Sequence, residues 1–392
     1  MDVDVRLTEM TPDDVRQIDT GADFDRYARG WHCLGLADSF RGGRPHSVDA
    51  FGTRIVIFED GAGAIRVLDA YCRHMGADLG MGSLRDGFLA CPFHGWQWDG
   101  ATGRCADVPY AKRRPKLART RRWTTSEVNG QLLVWHDVEN QAPDPAWLPP
   151  TIEGFDEGRW STWAWRSELI EGSHCREIVD NNVDMAHFFY IHHAYPTYFA
   201  NVIDGHTASQ LMHSKSREDI FGDSKYYHPD SLLRSEATYF GPAYMINWLH
   251  NDIGSGGTVE VVLTNAHYPV TQNSFVLQWG VAVQKMPGLS DAQMSRMAEA
   301  FSAKFSEGFL EDVEVWRHKT RIDNPLLTEE DGPVYQQRRW YEQFYVDRAA
   351  VTPDMTDRYE CEIDVTHARG EWDEEIRRNM VERQRLASIG VH

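Results

Sequence analysis

Two rhythms of apolar and polar positions divide the chain. From Tyr27 to about His136 the apolar residues come in short runs of β type: RIVIFED at 54–60, AIRVLDAYC at 64–72 and GQLLVWHD at 130–137. The glycine-rich turns GAGA, RDG and WDGATG separate them, so this stretch predicts a small all-β domain. QAPDPAWLPP at 141–150 is too rich in proline to sustain a ladder and marks a linker. Beyond it GRWSTWAWRSEL (158–169) reads as a strand and 173–192 as a helical stretch, with strands following near 234–250, 258–268 and 274–285. A long helix is predicted over roughly 291–319, its apolar stripe formed by Met297, Phe301, Phe305, Phe309 and Trp316. The charged tail at 369–387 reads as an exposed helix. The expected class is α+β, with a lead-in at 1–25, an all-β domain at 26–140, a linker at 141–150 and a second domain at 151–392. A chain of 392 residues is long for one core, which favours two domains.

Bulk composition removes several function classes. With 42% apolar and 25% charged residues the chain has the make-up of an ordinary soluble globular protein. No apolar run approaches the ~20 residues that span a bilayer. The N-terminus, MDVDVRLTEMTPDD, is acidic and lacks the apolar segment of a signal peptide. A formal charge of −19 argues against a nucleic-acid partner. Six cysteines are too sparse for a disulfide scaffold, and the expected compartment is the cytoplasm.

Two of those cysteines belong to the most specific pattern in the chain. Cys72-Arg-His74 is followed, sixteen residues later, by Cys91-Pro-Phe-His94. A tetrahedral zinc site could use such a set, but zinc fingers usually pair Cys with Cys and His with His. A Rieske [2Fe-2S] cluster needs two thiolates on one iron and two imidazoles on the other, so each loop supplies one of each. The mixed order within each loop fits the cluster. Gly76, Gly80, Pro92 and Gly95 suit tight turns whose amides could approach the bridging sulfides. About twenty residues on, Lys112, Arg113, Arg114, Lys116, Arg119, Arg121 and Arg122 form a cationic stretch without an acid. It reads either as a solvated strand and loop or subunit contact, or as a docking patch for an acidic electron donor.

A cluster moves one electron at a time and needs an acceptor. Asp184-Met-Ala-His187-Phe-Phe-Tyr-Ile-His192 supplies two imidazoles and a carboxylate. Two His and one carboxylate on one face of iron(II) leave positions open for oxygen and substrate. Residues five apart lie about 140° round a regular helix, so the helix must distort or end before His192; His193 is its competitor. The third ligand comes from the long helix, where Glu311, Asp312 and Glu314 are available. Asp312 lies three residues after Phe309 and four before Trp316, on the apolar stripe, where a carboxylate needs a strong partner. Met245 and Asn247 share one side of a strand, Asn265 lies on a neighbouring strand, and Phe309 and Trp316 flank Asp312. Such walls suit a large flat apolar ligand with a polar atom at each end.

Together, the Cys72–His94 block, Asp184-x-x-His187-x4-His192 and Asp312 resemble the oxygenase subunits of Rieske non-haem iron oxygenases, over nearly the whole chain. REIVDNNVDMAHFFYIH, EDVEVWRHKTRIDNPLL and EDGPVYQQRRWYEQFYVD carry a closer similarity to the 3-ketosteroid 9α-hydroxylase branch. The resemblance implies an N-terminal Rieske domain and a helix-grip catalytic domain, an antiparallel sheet wrapping a long helix. It also implies that Asp184 is an electron bridge from His187 to a cluster histidine, most simply His94, of a neighbouring subunit in a head-to-tail trimer. Gln210 and Tyr239 join the substrate lining on the same ground. The implied activity is monooxygenation of a 3-ketosteroid at C9, with O2 as co-substrate and electrons from NADH through a separate flavin and iron–sulfur reductase. Other readings stand beside it: a Rieske oxygenase for an aromatic acid, an alkyl ether or a steroid-CoA thioester; an arene dioxygenase with a small second subunit; and a cluster-only electron carrier.

Overall fold

The computed structural model describes residues 15–22, 24–224, 227–252 and 257–388, so residues 1–14 of the expected lead-in lie outside the described residues. The N-terminal part holds ten strands: β1 (Gly30–Leu36), β2 (His46–Ala50), β3 (Thr53–Glu59), β4 (Ile65–Asp69), β5 (Ser83–Arg85), β6 (Phe88–Ala90), β7 (Gln97–Trp98), β8 (Cys105–Asp107), β9 (Arg122–Val128) and β10 (Gln131–His136). Six of them form an antiparallel sheet in the order β1-β10-β9-β4-β3-β2, and β5-β6-β7-β8 form a smaller one. The run Ile55-Val56-Ile57-Phe58 is apolar throughout because β3 is covered on both sides. Ile55 and Ile57 face one core with Val67, Trp123 and Val134. Val56 and Phe58 face another, shared with Cys72, Cys91, Trp96 and Trp98.

The second part opens with β11 (Ala164–Glu171), α1 (Arg176–Asp180) and α2 (Ala186–Tyr190). There follow β12 (Ala194–Asp204), β13 (Thr207–Ser216), α3 (Glu218–Phe221), β14 (Leu232–Phe240), β15 (Tyr244–Asp252), β16 (Thr258–Thr271) and β17 (Ser274–Val283). The chain closes with α4 (Asp291–His318), α5 (Val334–Glu342), α6 (Pro353–Thr356), β18 (Tyr359–Glu362) and α7 (Thr366–Ser388). Eight strands make one antiparallel sheet in the order β11-β17-β16-β15-β14-β13-β12-β18. α4 begins at a capping box between Ser290 and Gln293 and lies across one face, burying Met294, Ala298, Val313 and Trp316 against Leu263, Leu277 and Trp279. The other face of the same strands presents Tyr244, Ile246, Val262 and Ala266 to Trp31, Leu133 and Trp135 of the N-terminal part. Alternation along β16 therefore sorts residues between two cores: odd positions meet α4 and even positions meet the N-terminal sheet.

Several sequence-based expectations change at this level. The strand predicted over 158–169 begins only at Ala164, with Trp160 contributing an isolated bridge to Gln284. The helical stretch predicted over 173–192 breaks into α1, a 3-10 turn at Asn181–Val183, and α2. The pair β12–β13 was not anticipated. Pro196, a strand-breaking signal, sits at a register shift where β12 loses a ladder position without ending. The tail is a helix with mostly exposed residues, but Trp372 is buried and stacked on Phe189.

Candidate active site

The two loops bearing Cys72–His74 and Cys91–His94 are built alike. Cys72 N–H donates to the Ala77 carbonyl and Gly76 N–H to the Cys72 carbonyl; Cys91 N–H donates to Trp96 and Gly95 N–H to Cys91 in the same pattern. Gly76 and Gly95 take φ of 79° and 72°, a left-handed conformation that glycine adopts freely. Their own amides are thus spent on cysteine carbonyls, which leaves the remaining amides of the two turns as the ones free to approach a cluster sulfide. Gly80 has another role again: its N–H donates to Asp78, and Ser47 fills the space a side chain would need.

The imidazoles of His74 and His94 stand 4.7 Å apart between centroids, and their Nδ1 atoms are buried without a protein partner. Burial pushes the Cys72 thiol up, and the adjacent Cys91 adds to the rise. Two orphaned nitrogens beside two thiols suit a [2Fe-2S] group held by two sulfurs and two nitrogens. Trp96 stacks on His74 and donates to the Tyr110 hydroxyl, while Phe93 lies against His94. Met75, Phe93 and Tyr110 are exposed around this face. Within the cationic stretch, Arg114 donates to the Cys105 and Ala106 carbonyls, Arg122 donates to Ala101, and Arg121 lies over Trp123. These three are tied to their own domain; Lys112, Arg113, Lys116 and Arg119 are exposed.

A second donor set lies under α4. His187, His192 and Asp312 offer ligand atoms that all fall within 4.8 Å of one another. His187 Nδ1 sits 2.6 Å from the Asp184 carbonyl, so that nitrogen carries the proton and Nε2 keeps its lone pair free. The Asp184 carboxylate accepts the His187 N–H at 3.2 Å. Desolvation pushes the Asp184 carboxyl up, but its bonds with His187 outweigh that and hold it below its ordinary range. His192 Nε2 lies 3.3 Å from Asp312 Oδ2. Its ring packs over Gly308 of α4, where an added Cβ would stand 2.9 Å from Nδ1. A His/His/carboxylate set seated in a cradle that only glycine leaves open fits a mononuclear iron. His193 takes a φ of 53° and is outside this group.

The predicted lining residues share one face of the sheet. Tyr239 pairs with Met245, Met245 with Asn265, and Asn265 with Trp279, one row across four strands. Ala208 of β13 pairs with Tyr239 and extends the row, and Gln210 and Asn247 lie two residues along from Ala208 and Met245 on the same side. Phe309 of α4 packs against Trp279 at 5.3 Å, and Trp316 joins the same core. Asn265 Oδ1 is buried without a partner, whereas Asn247 Oδ1 accepts from Ser235. Sequence reasoning missed Trp279 and Gly308. The pairing of VLQWG with the Asn265 strand could have indicated the first, and an isolated glycine inside a long helix the second.

Comparison with known proteins agrees with this layout. Residues 30–125 match the profile described as Rieske [2Fe-2S] domain, and residues 134–345 match that described as 3-ketosteroid 9alpha-hydroxylase C-terminal domain. The chain is 57% identical to the 3-ketosteroid-9-alpha-monooxygenase oxygenase component of Mycolicibacterium smegmatis, over 93% of this chain and 95% of that one. It is 54% identical to the protein of the same description from Mycobacterium tuberculosis, over 94% and 95%. The crystal structure of dicamba monooxygenase bound to 3,6-dichlorosalicylic acid shares the fold, with a TM-score of 0.69 at 18% identity over 84% of this chain and 100% of that one. By its two donor sets, its sheet-and-helix layout and these relatives, the chain belongs to the 3-ketosteroid 9α-hydroxylase family of Rieske oxygenases.

Proposed function

We propose that this chain is the terminal oxygenase of a two-component system that hydroxylates a 3-ketosteroid at C9 during steroid degradation. Androst-4-ene-3,17-dione and androsta-1,4-diene-3,17-dione are the substrates that fit the reading. It rests on one observation: His187, His192 and Asp312 offer their ligand atoms within 4.8 Å, beneath the same helix that bears Phe309 and Trp316. Cys72, His74, Cys91 and His94 would hold the [2Fe-2S] cluster, and His187, His192 and Asp312 the iron(II). When bound, these groups supply single-electron transfer and oxygen activation. Each turnover takes up one O2, two electrons from NADH through a flavin and iron–sulfur reductase, and two protons. One oxygen atom enters the C–H bond and the other leaves as water.

The protein's own contribution is orientation and dryness. The Asp184 carbonyl fixes the His187 tautomer so that Nε2 is the nitrogen that would bind the metal. Its carboxylate, kept ionised, bridges toward a cluster histidine of a neighbouring chain in a head-to-tail trimer. The apolar residues Tyr239, Met245, Phe309 and Trp316 exclude water from the C–H bond under attack. Asn265, whose Oδ1 is buried without a partner, and Gln210 and Asn247 offer amides to the ketone oxygens. No helix among the described residues is long and apolar enough to cross a membrane, and a cytoplasmic location fits the reduced thiols this cluster needs.

Steady-state turnover under labelled O2, with NADH and a partner reductase, tests the reading. The expected result is one labelled atom in the steroid and the other in water. Equal turnover of an aromatic acid, with the steroid untouched, would move the chain to another branch of Rieske oxygenase.

A further inference from the structure

The five-residue interval between His187 and His192 needs an explanation that the ligands themselves do not contain. On a continuous helix these residues would lie about 140° apart. Instead α2 stops at Tyr190, and Ile191 and His192 both donate to the His187 carbonyl, at 2.7 and 3.4 Å. Ending the helix there leaves the next carbonyls without their usual donors, and a buried carbonyl without a donor costs about 1–3 kcal/mol. The buried Arg217 supplies one. Its Nη1 donates to the Phe189 carbonyl at 3.0 Å, and its guanidinium lies 3.9 Å from the Phe189 ring. Its backbone N–H donates to the His193 carbonyl at 3.4 Å, so one residue grips the chain on both sides of His192.

The grip is itself anchored. Arg217 Nε and Nη2 donate to the two carboxylate oxygens of Asp219 at 3.1 and 2.6 Å, and Nη2 lies 3.5 Å from Glu375 of α7. Asn379 of α7 donates to Asp219 at 2.8 Å, and Trp372 of α7 stacks on the Phe189 ring at 4.7 Å. We infer that Arg217 is a positioning residue for the mononuclear metal: with α7 behind it, it holds the helix break that turns His192 toward His187 and Asp312. This rests on the ligand reading above and adds what keeps those ligands in register. It also gives the C-terminal helix a task, as the support of a metal site distant from it in sequence.

The test uses protein loaded with both centres. Arg217→Lys keeps a charge beside Asp219, and hence the fold, but loses the fork that reaches the Phe189 carbonyl. Release of non-cluster iron into a chelator is followed while the visible absorption of the cluster serves as internal control. The expected result is release about 10- to 100-fold faster, with the cluster band unchanged. The EPR spectrum of the nitric oxide complex of that iron should change shape as well, because the ligand geometry has changed. Tyr195→Phe, which removes the hydroxyl bonded to Asp373 of α7 but keeps the ring that packs edge-on against Phe189, should release iron at the unaltered rate. Unaltered release from Arg217→Lys, or equally fast release from Tyr195→Phe, would overturn the inference. If His187→Ala keeps its chelatable iron, the ligand reading has failed instead, whatever Arg217→Lys does.

Discussion

His187 shows how single contacts decide the chemistry. One hydrogen bond, from Nδ1 to the Asp184 carbonyl, determines which nitrogen can bind a metal. Replacing His187 with Ala should abolish turnover and leave the cluster spectrum intact; a brown, fully active variant would remove His187 from the metal site. Gly308→Ala gives a sharper contrast. The substitution should favour α4 by about 1 kcal/mol, since alanine is the better helix former, yet its methyl would press on His192. Thermal stability should hold or rise while non-cluster iron is lost. Full iron content in that variant would show that the cradle is not tight. At this scale the sequence is most legible where chemistry restricts residue type. A cluster accepts only certain ligands at certain spacings, so Cys72, His74, Cys91 and His94 stand out unaided. Arg217 does not, because in KSREDI it is one charged residue among several, and only folding brings it to Phe189.

The elements explain what spacing alone leaves ambiguous. α4 was readable almost to the residue because its apolar stripe runs the length of the helix. The end of α2 before His192 was readable from the ligand spacing, but the 3-10 turn at Asn181–Val183 that divides α1 from α2 was not. The seam where β1 and β10 meet β16 also lay beyond sequence reasoning, since nothing local announces which strands will share a core. This seam carries buried histidines. Burial pushes His32 down to about 3, with His136 nearby adding to the effect, and burial pushes His136 down to about 4. His32 and His136 both hydrogen-bond the Ala28 carbonyl. A histidine with a depressed folded value takes up its proton on unfolding. Stability is therefore complete above the ordinary value of 6.5 and falls as the pH drops toward 4. The unfolding midpoint should decline across that window, and His136→Asn should flatten the decline. A midpoint independent of pH from 7 to 4 would contradict the burial of these imidazoles.

At the scale of the whole molecule, the sheet of eight strands separates α4 from the N-terminal sheet. Each face of β16 thus serves a different core. The proposed trimer places electron transfer between chains, and that is testable by mixing. Oligomers reassembled from Cys91→Ser chains, defective in the cluster, and His187→Ala chains, defective at the mononuclear site, should regain part of the activity that each lacks alone. Reassembled mixtures that stay inactive would confine the electron path to one chain.

The central claim, that this pocket hydroxylates a steroid, is tested most directly by a single turnover. The protein, shown to hold both metal centres, is reduced chemically, given androst-4-ene-3,17-dione and then exposed to oxygen, so no reductase is involved. The account predicts a steroid heavier by one oxygen atom in the mass spectrum, with NMR placing the hydroxyl at C9. Unchanged steroid from fully loaded, fully reduced protein would contradict it.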